Sequence, residues 1–222
     1  MVTRSNSNPK AANAEQLGRR ERKRLETLEK LFQSALQLFA ENGFAATRVE
    51  EITEAADVAK GTFFNYFPSK EHVLTYFAGR QIGTIERYLE KAKEGRQRIE
   101  PLLGEMAHAL VALPGKTPEM ARSLMAAFVS NEEVRKVLRE EIAGKGRRIL
   151  AEIFAIAQER GELRRDVKPL QMAKVFQQNM FGTVLLWSLN PVEPLGNAID
   201  EMIDVCSRGI GAEPVSRKKV LK

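Results

Sequence analysis

Residues 48–67 restrict the fold more than any other part of the chain. They hold two segments of helical spacing, about 48–56 and 60–67, separated only by the tight turn Asp57-Val58-Ala59. A long amphipathic segment, about 18–42, comes directly before them. Leu28, Phe32, Ala35 and Phe39 form its apolar stripe, which Leu31 and Leu38 widen. Asn42-Gly43 ends that helix, because glycine accepts the left-handed conformation that closes many helices. Thr47 and Glu50 have the spacing of a capping box and mark the start of the next one. Two short helices joined by a tight turn, directly after a longer one, make a helix-turn-helix. Val49, Ile52, Ala56, Val58 and Phe63 fall at intervals suited to a small core through which the middle helix braces the last. That leaves Lys60, Thr62, Phe64, Asn65 and Tyr66 to face outward in varying degree. The major groove of DNA is wide enough to admit such a helix, and its base edges carry a distinct code.

Beyond the motif, Pro68-Ser69 breaks the pattern and a fourth helix follows over about 70–93. The remaining chain keeps helical spacing without convincing strand alternation, so the expected class is all-α, with about nine helices. One helix over about 99–113 is stopped by Pro114-Gly115. Another starts at Thr117-Pro118, with Thr as cap and Pro in the first turn. Three more are expected over about 132–160, ended by Gly161, then 169–189 and 194–209. The expected organisation is a flexible arm at 1–18, a DNA-binding domain at 19–85, a second helical domain at 86–212, and a tail at 213–222. That tail carries the basic cluster Arg217-Lys218-Lys219.

Hydrophobic residues make up 43% of the 222, enough for a sizeable core, and the formal net charge is +6. A basic surplus attracts phosphate or an anionic membrane without choosing between them. No apolar run approaches the roughly 20 residues that cross a bilayer. The first 20 residues lack the apolar centre of a secretory signal. Cys206 stands alone, so no intrachain disulfide can form. The expectation is a cytoplasmic protein with no membrane partner.

The motif then becomes specific. Ala35-Leu36-Gln37-Leu38-Phe39-Ala40-Glu41-Asn42-Gly43-Phe44, followed by Thr47 and Ile52, is the first part of a fixed pattern. Val58-Ala59-Lys60-Gly61-Thr62-Phe63-Phe64-Asn65-Tyr66-Phe67-Pro68-Ser69-Lys70-Glu71 completes it. Together they resemble the N-terminal DNA-binding domain of the TetR family over about 25–85. The resemblance implies a set of DNA-binding residues. Lys60 would read a base edge, since lysine can donate to guanine acceptors. Gly61 would let the backbone approach DNA, Thr62 would offer its hydroxyl to phosphate or base, and Tyr66 would bind phosphate. Lys70 would clamp phosphate at the start of the fourth helix, aided by the positive end of the helix dipole. Thr47 would either bind phosphate or cap its own helix. Two positions depart from the family. Glu50 stands where a basic residue is frequent and fits a capping role, with Arg48 supplying the lost contact. Phe64 stands where tyrosine is frequent, and either packs on a thymine methyl or joins the core. Asn65 completes the outward set. The basic run Arg19, Arg20, Arg22, Lys23 and Arg24 is either the solvated start of a helix or an arm for phosphates or the minor groove.

For the second half, the resemblance implies a helical domain that encloses a small-molecule pocket and forms a homodimer through its last two long helices. Gly161-Glu162-Leu163-Arg164-Arg165-Asp166 resembles the entry into that pair. Phe176, Thr183, Val184 and Trp187 are the expected interface residues, with Met180 on the same face. Leu103, Met106, Leu124, Met125, Phe128, Phe176 and Met180 are the pocket candidates, with methionines suited to irregular apolar ligands. Each has core packing as its alternative. His72 is expected to be exposed, and His108 to be packed or at the surface.

The functional expectation is a sequence-specific regulator, a repressor that binds a palindromic double-stranded DNA operator as a dimer and is released by a small, largely apolar effector. A non-specific architectural DNA binder is the first alternative. A small all-α enzyme is the second, and the chain has no P-loop, no His-Glu-x-x-His and no paired cysteines to favour it. No catalytic residue, metal or cofactor is expected.

Overall fold

A computed structural model of the chain describes residues 9–210, with side chains from Gly18 onward. The described elements are α1 (Pro9–Asn42), α2 (Val49–Ala55), α3 (Lys60–Tyr66), α4 (Glu71–Glu94), α5 (Ile99–Val111) and α6 (Pro118–Ser130). They continue as α7 (Glu132–Val137), a π-helical segment (Leu138–Gly146), α8 (Arg147–Glu159), α9 (Pro169–Leu189) and α10 (Leu195–Ile210). The described chain is therefore all-α. It forms two compact units, up to Val73 and from Leu74. The division falls inside α4 and not at residue 85, because Phe77, Ala78, Ile82 and Ile85 bury their side chains as members of the second unit.

The first unit differs from expectation at its start. Helix α1 begins at Pro9, where a flexible arm was expected to reach residue 18. The run Lys10-Ala11-Ala12-Asn13-Ala14-Glu15-Gln16-Leu17 is rich in strong helix formers, and proline suits a first helical turn. The tail at 213–222 lies outside the described residues. Leu31, Phe32, Ala35, Leu36 and Phe39 are buried along α1, with Leu28 and Leu38 at its half-buried margins. Ile52, Ala56, Phe63 and Phe67 complete this core, while Val49 and Val58 are half-buried. Phe44 packs edge-on against Phe39 with ring centroids 4.9 Å apart, and Phe63 meets Phe67 at 5.5 Å.

Helix α2 closes with two bonds beyond its end, Asp57 N–H to the Glu54 carbonyl (3.1 Å) and Val58 N–H to that of Thr53 (3.0 Å). That pairing needs a left-handed residue between them, and Asp57 supplies it at φ 53°. Aspartate tolerates this conformation where a β-branched residue does not. Asp57→Val is expected to lose about 1–2 kcal/mol, read as a lower midpoint in chemical denaturation.

In the second unit, Thr117 accepts from the Met120 amide and Pro118 stands in the first turn of α6, as its sequence indicates. Gly161, at φ 74°, closes α8. The helix expected to run unbroken over 132–160 is interrupted by the π-helical segment. Gly144 and Gly146 lie inside it, and the first atom of a side chain at 146 would meet Ile82 Cδ1 at 3.0 Å. Close approach of α4 and low helix propensity therefore coincide where the coil widens. Helices α8 and α9 pack through Phe154 and Phe176, edge to face at 5.9 Å.

Candidate functional site

Helix α3 buries Phe63 and turns its other residues outward. Lys60, Gly61, Phe64 and Asn65 are exposed, and Thr62 and Tyr66 are half-buried. Phe64 is 47% exposed, with its ring edge-on to Phe63 at 5.5 Å, so it is a surface aromatic and not a core residue. Gly61 has nothing within 4 Å of where a Cβ would stand. Packing within the chain therefore does not explain a glycine there. Lys60 Nζ lies 2.6 Å from Glu50 Oε1, both side chains more than half exposed. The Lys60 hydrogen bond, aided by the backbone amide and the Lys60 charge, holds the Glu50 carboxyl below its ordinary pKa. Glu50 is thus an ion-pair partner of the expected base reader and not a helix cap. The cap belongs to its neighbours, with Arg48 N–H donating to Glu51 Oε2 at 2.7 Å.

Two expected contacts are placed differently. Thr47 is 1% exposed, and its hydroxyl faces the carbonyls of Gly43 (2.8 Å) and Leu38 (3.1 Å). It ties the loop to α1 and is neither a cap nor open to phosphate. Lys70 directs its ammonium to the carbonyls of Phe44 (2.8 Å), Ala45 (3.0 Å) and Thr47 (3.1 Å), and lies over the Phe44 ring. Three N–H groups meet three acceptors, leaving none for a phosphate in this arrangement. Arg48, on the same loop, is exposed. The basic run from Arg19 to Arg24 is exposed on α1, with ion pairs Arg24–Glu21 and Arg22–Glu26, and so forms helix surface and not an extended arm.

The second unit contains a cavity of about 450 Å³ lined by α4, α5, α6, the π segment, α8 and α9. Six of the seven pocket candidates line it: Met106, Leu124, Met125, Phe128, Phe176 and Met180. Leu103 does not, being buried in the core. Arg147 and Gln177 also reach the wall, and sequence reasoning missed both. Among the described residues, no helix is long and apolar enough to cross a membrane.

Residues 31–76 match the family described as bacterial regulatory proteins, tetR family, and residues 96–203 match the tetracyclin repressor-like C-terminal domain. The chain belongs to the TetR family of transcriptional regulators. It is similar to the repressor KstR of Mycolicibacterium smegmatis, 26% identical over 73% of this chain and 76% of that one. It is similar also to the fatty acid metabolism regulator protein of Bacillus subtilis, 27% identical over 78% and 91%. Its fold resembles the crystal structure of FadR from Bacillus subtilis in complex with stearoyl-CoA, with a TM-score of 0.67 over 82% of this chain and 98% of that one, at 23% identity.

This TetR-family member is a DNA-binding, ligand-responsive regulator of transcription, with a helix-turn-helix unit followed by an all-helical one. Its interface candidates on α9 divide between two faces. Phe176 and Val184 are buried and line the cavity, so they point inward. Thr183 and Trp187 are half-buried, and Trp187 Nε1 donates to the Glu193 carbonyl at 2.7 Å. The outward face of α9 presents Leu186 and Leu189, 68% and 63% exposed, with Val192 after it and Val205 on α10. Cys206 is half-buried beside Asn179, and His108 sits at the surface, 2.6 Å from Asp200. His72, expected to be exposed, is half-buried against Ser69.

Proposed function

We propose that the protein represses transcription as a homodimer on a palindromic operator. It reads base edges with the outward face of α3 and releases DNA when a largely apolar effector fills the second-unit cavity. The observation that carries this reading is the surface of α3, where Lys60, the open backbone at Gly61, Phe64 and Asn65 lie together on a helix braced by Phe63. A pair of such helices about 34–36 Å apart would match successive turns of one groove face. The exposed apolar side chains of α9 and α10 supply a self-complementary surface for that pairing. Similarity to KstR supports repression, and the stearoyl-CoA complex of the FadR relative supports an effector with a long acyl body. Helix α4 carries Phe77, Gln81 and Ile85 at the cavity wall and begins in the DNA-binding unit, which offers a route for coupling.

Glu50 takes one of the three N–H groups of Lys60 and leaves two for a base edge, while the Glu50 carboxylate repels a phosphate placed beside it. Selection of duplexes from a random pool is expected to yield one inverted repeat. Lys60→Ala should lower affinity for it by about 1–3 kcal/mol and relax preference at one position of each half-site. Equal binding of all duplexes by the native protein would defeat the specific-regulator reading.

A further inference from the structure

Arg147 is the one charged residue among those described at the cavity wall, and no carboxylate lines that wall. It opens α8 directly after the π-helical segment, whose Leu138, Ile142 and Ala143 also line the cavity. Gln177 on α9 fixes it from the side: Arg147 Nε donates to Gln177 Oε1 at 3.0 Å, and Gln177 Nε2 donates to the Ile142 carbonyl at 2.6 Å. Both ends of the Gln177 amide are thereby used, and the guanidinium is held by one of its five N–H groups. Among the described residues Arg147 makes no ion pair, and its side chain is half-buried. The other polar group of known partner on the wall, Gln81, donates to the Leu110 carbonyl at 3.1 Å.

A guanidinium partly withdrawn from water without a counter-charge is unfavourable, and its planar fork matches a carboxylate through two parallel N–H bonds. We propose that the effector is an amphipathic monoanion, a fatty acid or an apolar acid of similar form. Its carboxylate binds the Arg147 fork that Gln177 orients, and its apolar body fills the cavity. This rests on the cavity being the effector site, and it adds the head group. The same chain could arrive as a free acid or as a coenzyme A thioester, and only the free acid presents a carboxylate at the end of the chain.

The test measures binding of laurate, dodecanol and lauroyl-CoA to the full-length protein by titration calorimetry, in the native form and as Arg147→Gln and Arg147→Lys, with melting temperature as the folding control. The native protein is expected to prefer laurate over dodecanol by about ten- to a hundredfold, the size of a charged hydrogen-bonded contact. Arg147→Gln should erase that preference, lowering laurate affinity by far more than dodecanol affinity, and Arg147→Lys should keep part of it. Equal binding of laurate and dodecanol by the native protein overturns the head-group assignment, with no variant needed. So does tighter binding of lauroyl-CoA that is indifferent to position 147. Failure of all three probes to bind would instead remove the cavity as the acyl site.

Discussion

Replacing Leu186 and Leu189 together by aspartate is expected to turn the protein into a monomer and to lower operator affinity by about 10²–10⁴-fold, the advantage that linking two binding modules confers. Both side chains are more than 60% exposed in the single chain, so the substitution removes little from the fold of one subunit. In the proposed dimer they become core. Fully burying a leucine contributes about 1.5–3 kcal/mol, and two-fold symmetry counts each position twice. Placing four carboxylates at such an interface adds desolvation and like-charge repulsion to the lost burial. Sedimentation velocity should show the change of mass, circular dichroism an unchanged helix content, and operator titration a loss common to every half-site. A variant that stays dimeric would move the interface away from the outer face of α9. A monomer that keeps full operator affinity would separate dimerisation from DNA reading.

That interface also shows where sequence reading reached its limit. Helix α9 is apolar on two sides, one against the cavity and one outward, so periodicity found the helix without telling Phe176 and Val184 from Leu186 and Leu189. Local punctuation fared better, because its physics lies within a few residues. Asn42-Gly43, Thr117-Pro118 and Gly161 all end or begin helices as their chemistry requires. The cavity was largely legible, since apolar residues on facing helices must enclose it. Arg147 was not, because an arginine next to Arg148 in an amphipathic helix reads as solvated surface. The π segment was invisible for a related reason: helical periodicity marks where a helix runs and does not tell which carbonyl each N–H reaches. Long-range ties leave no local trace at all. Glu162 accepts from the Ile99 amide at 2.6 Å and so satisfies the start of a helix 63 residues earlier.

Lys70 is the sharpest of these cases, and Lys70→Met is expected to lower the stability of the DNA-binding unit by about 2–4 kcal/mol without changing the salt dependence of operator binding. The reasoning starts from the three carbonyls that the ammonium serves, those of Phe44, Ala45 and Thr47. They lie in the loop between α1 and α2, where helix hydrogen bonding has stopped and the carbonyls need other donors. Methionine keeps the apolar stem but offers no N–H. Each acceptor left without its charged partner costs about 1–3 kcal/mol if buried, less where water can replace it, as at the exposed Ala45. The contact of the ammonium with the Phe44 ring, 4.8 Å from its centroid, is lost as well. A phosphate clamp predicts the opposite signature. Its removal would leave the melting temperature near that of the native protein and flatten the plot of affinity against salt by about one unit. Thermal unfolding and a salt titration on one variant therefore separate the two roles. A stable Lys70→Met protein with a shallower salt slope would return this lysine to the DNA surface.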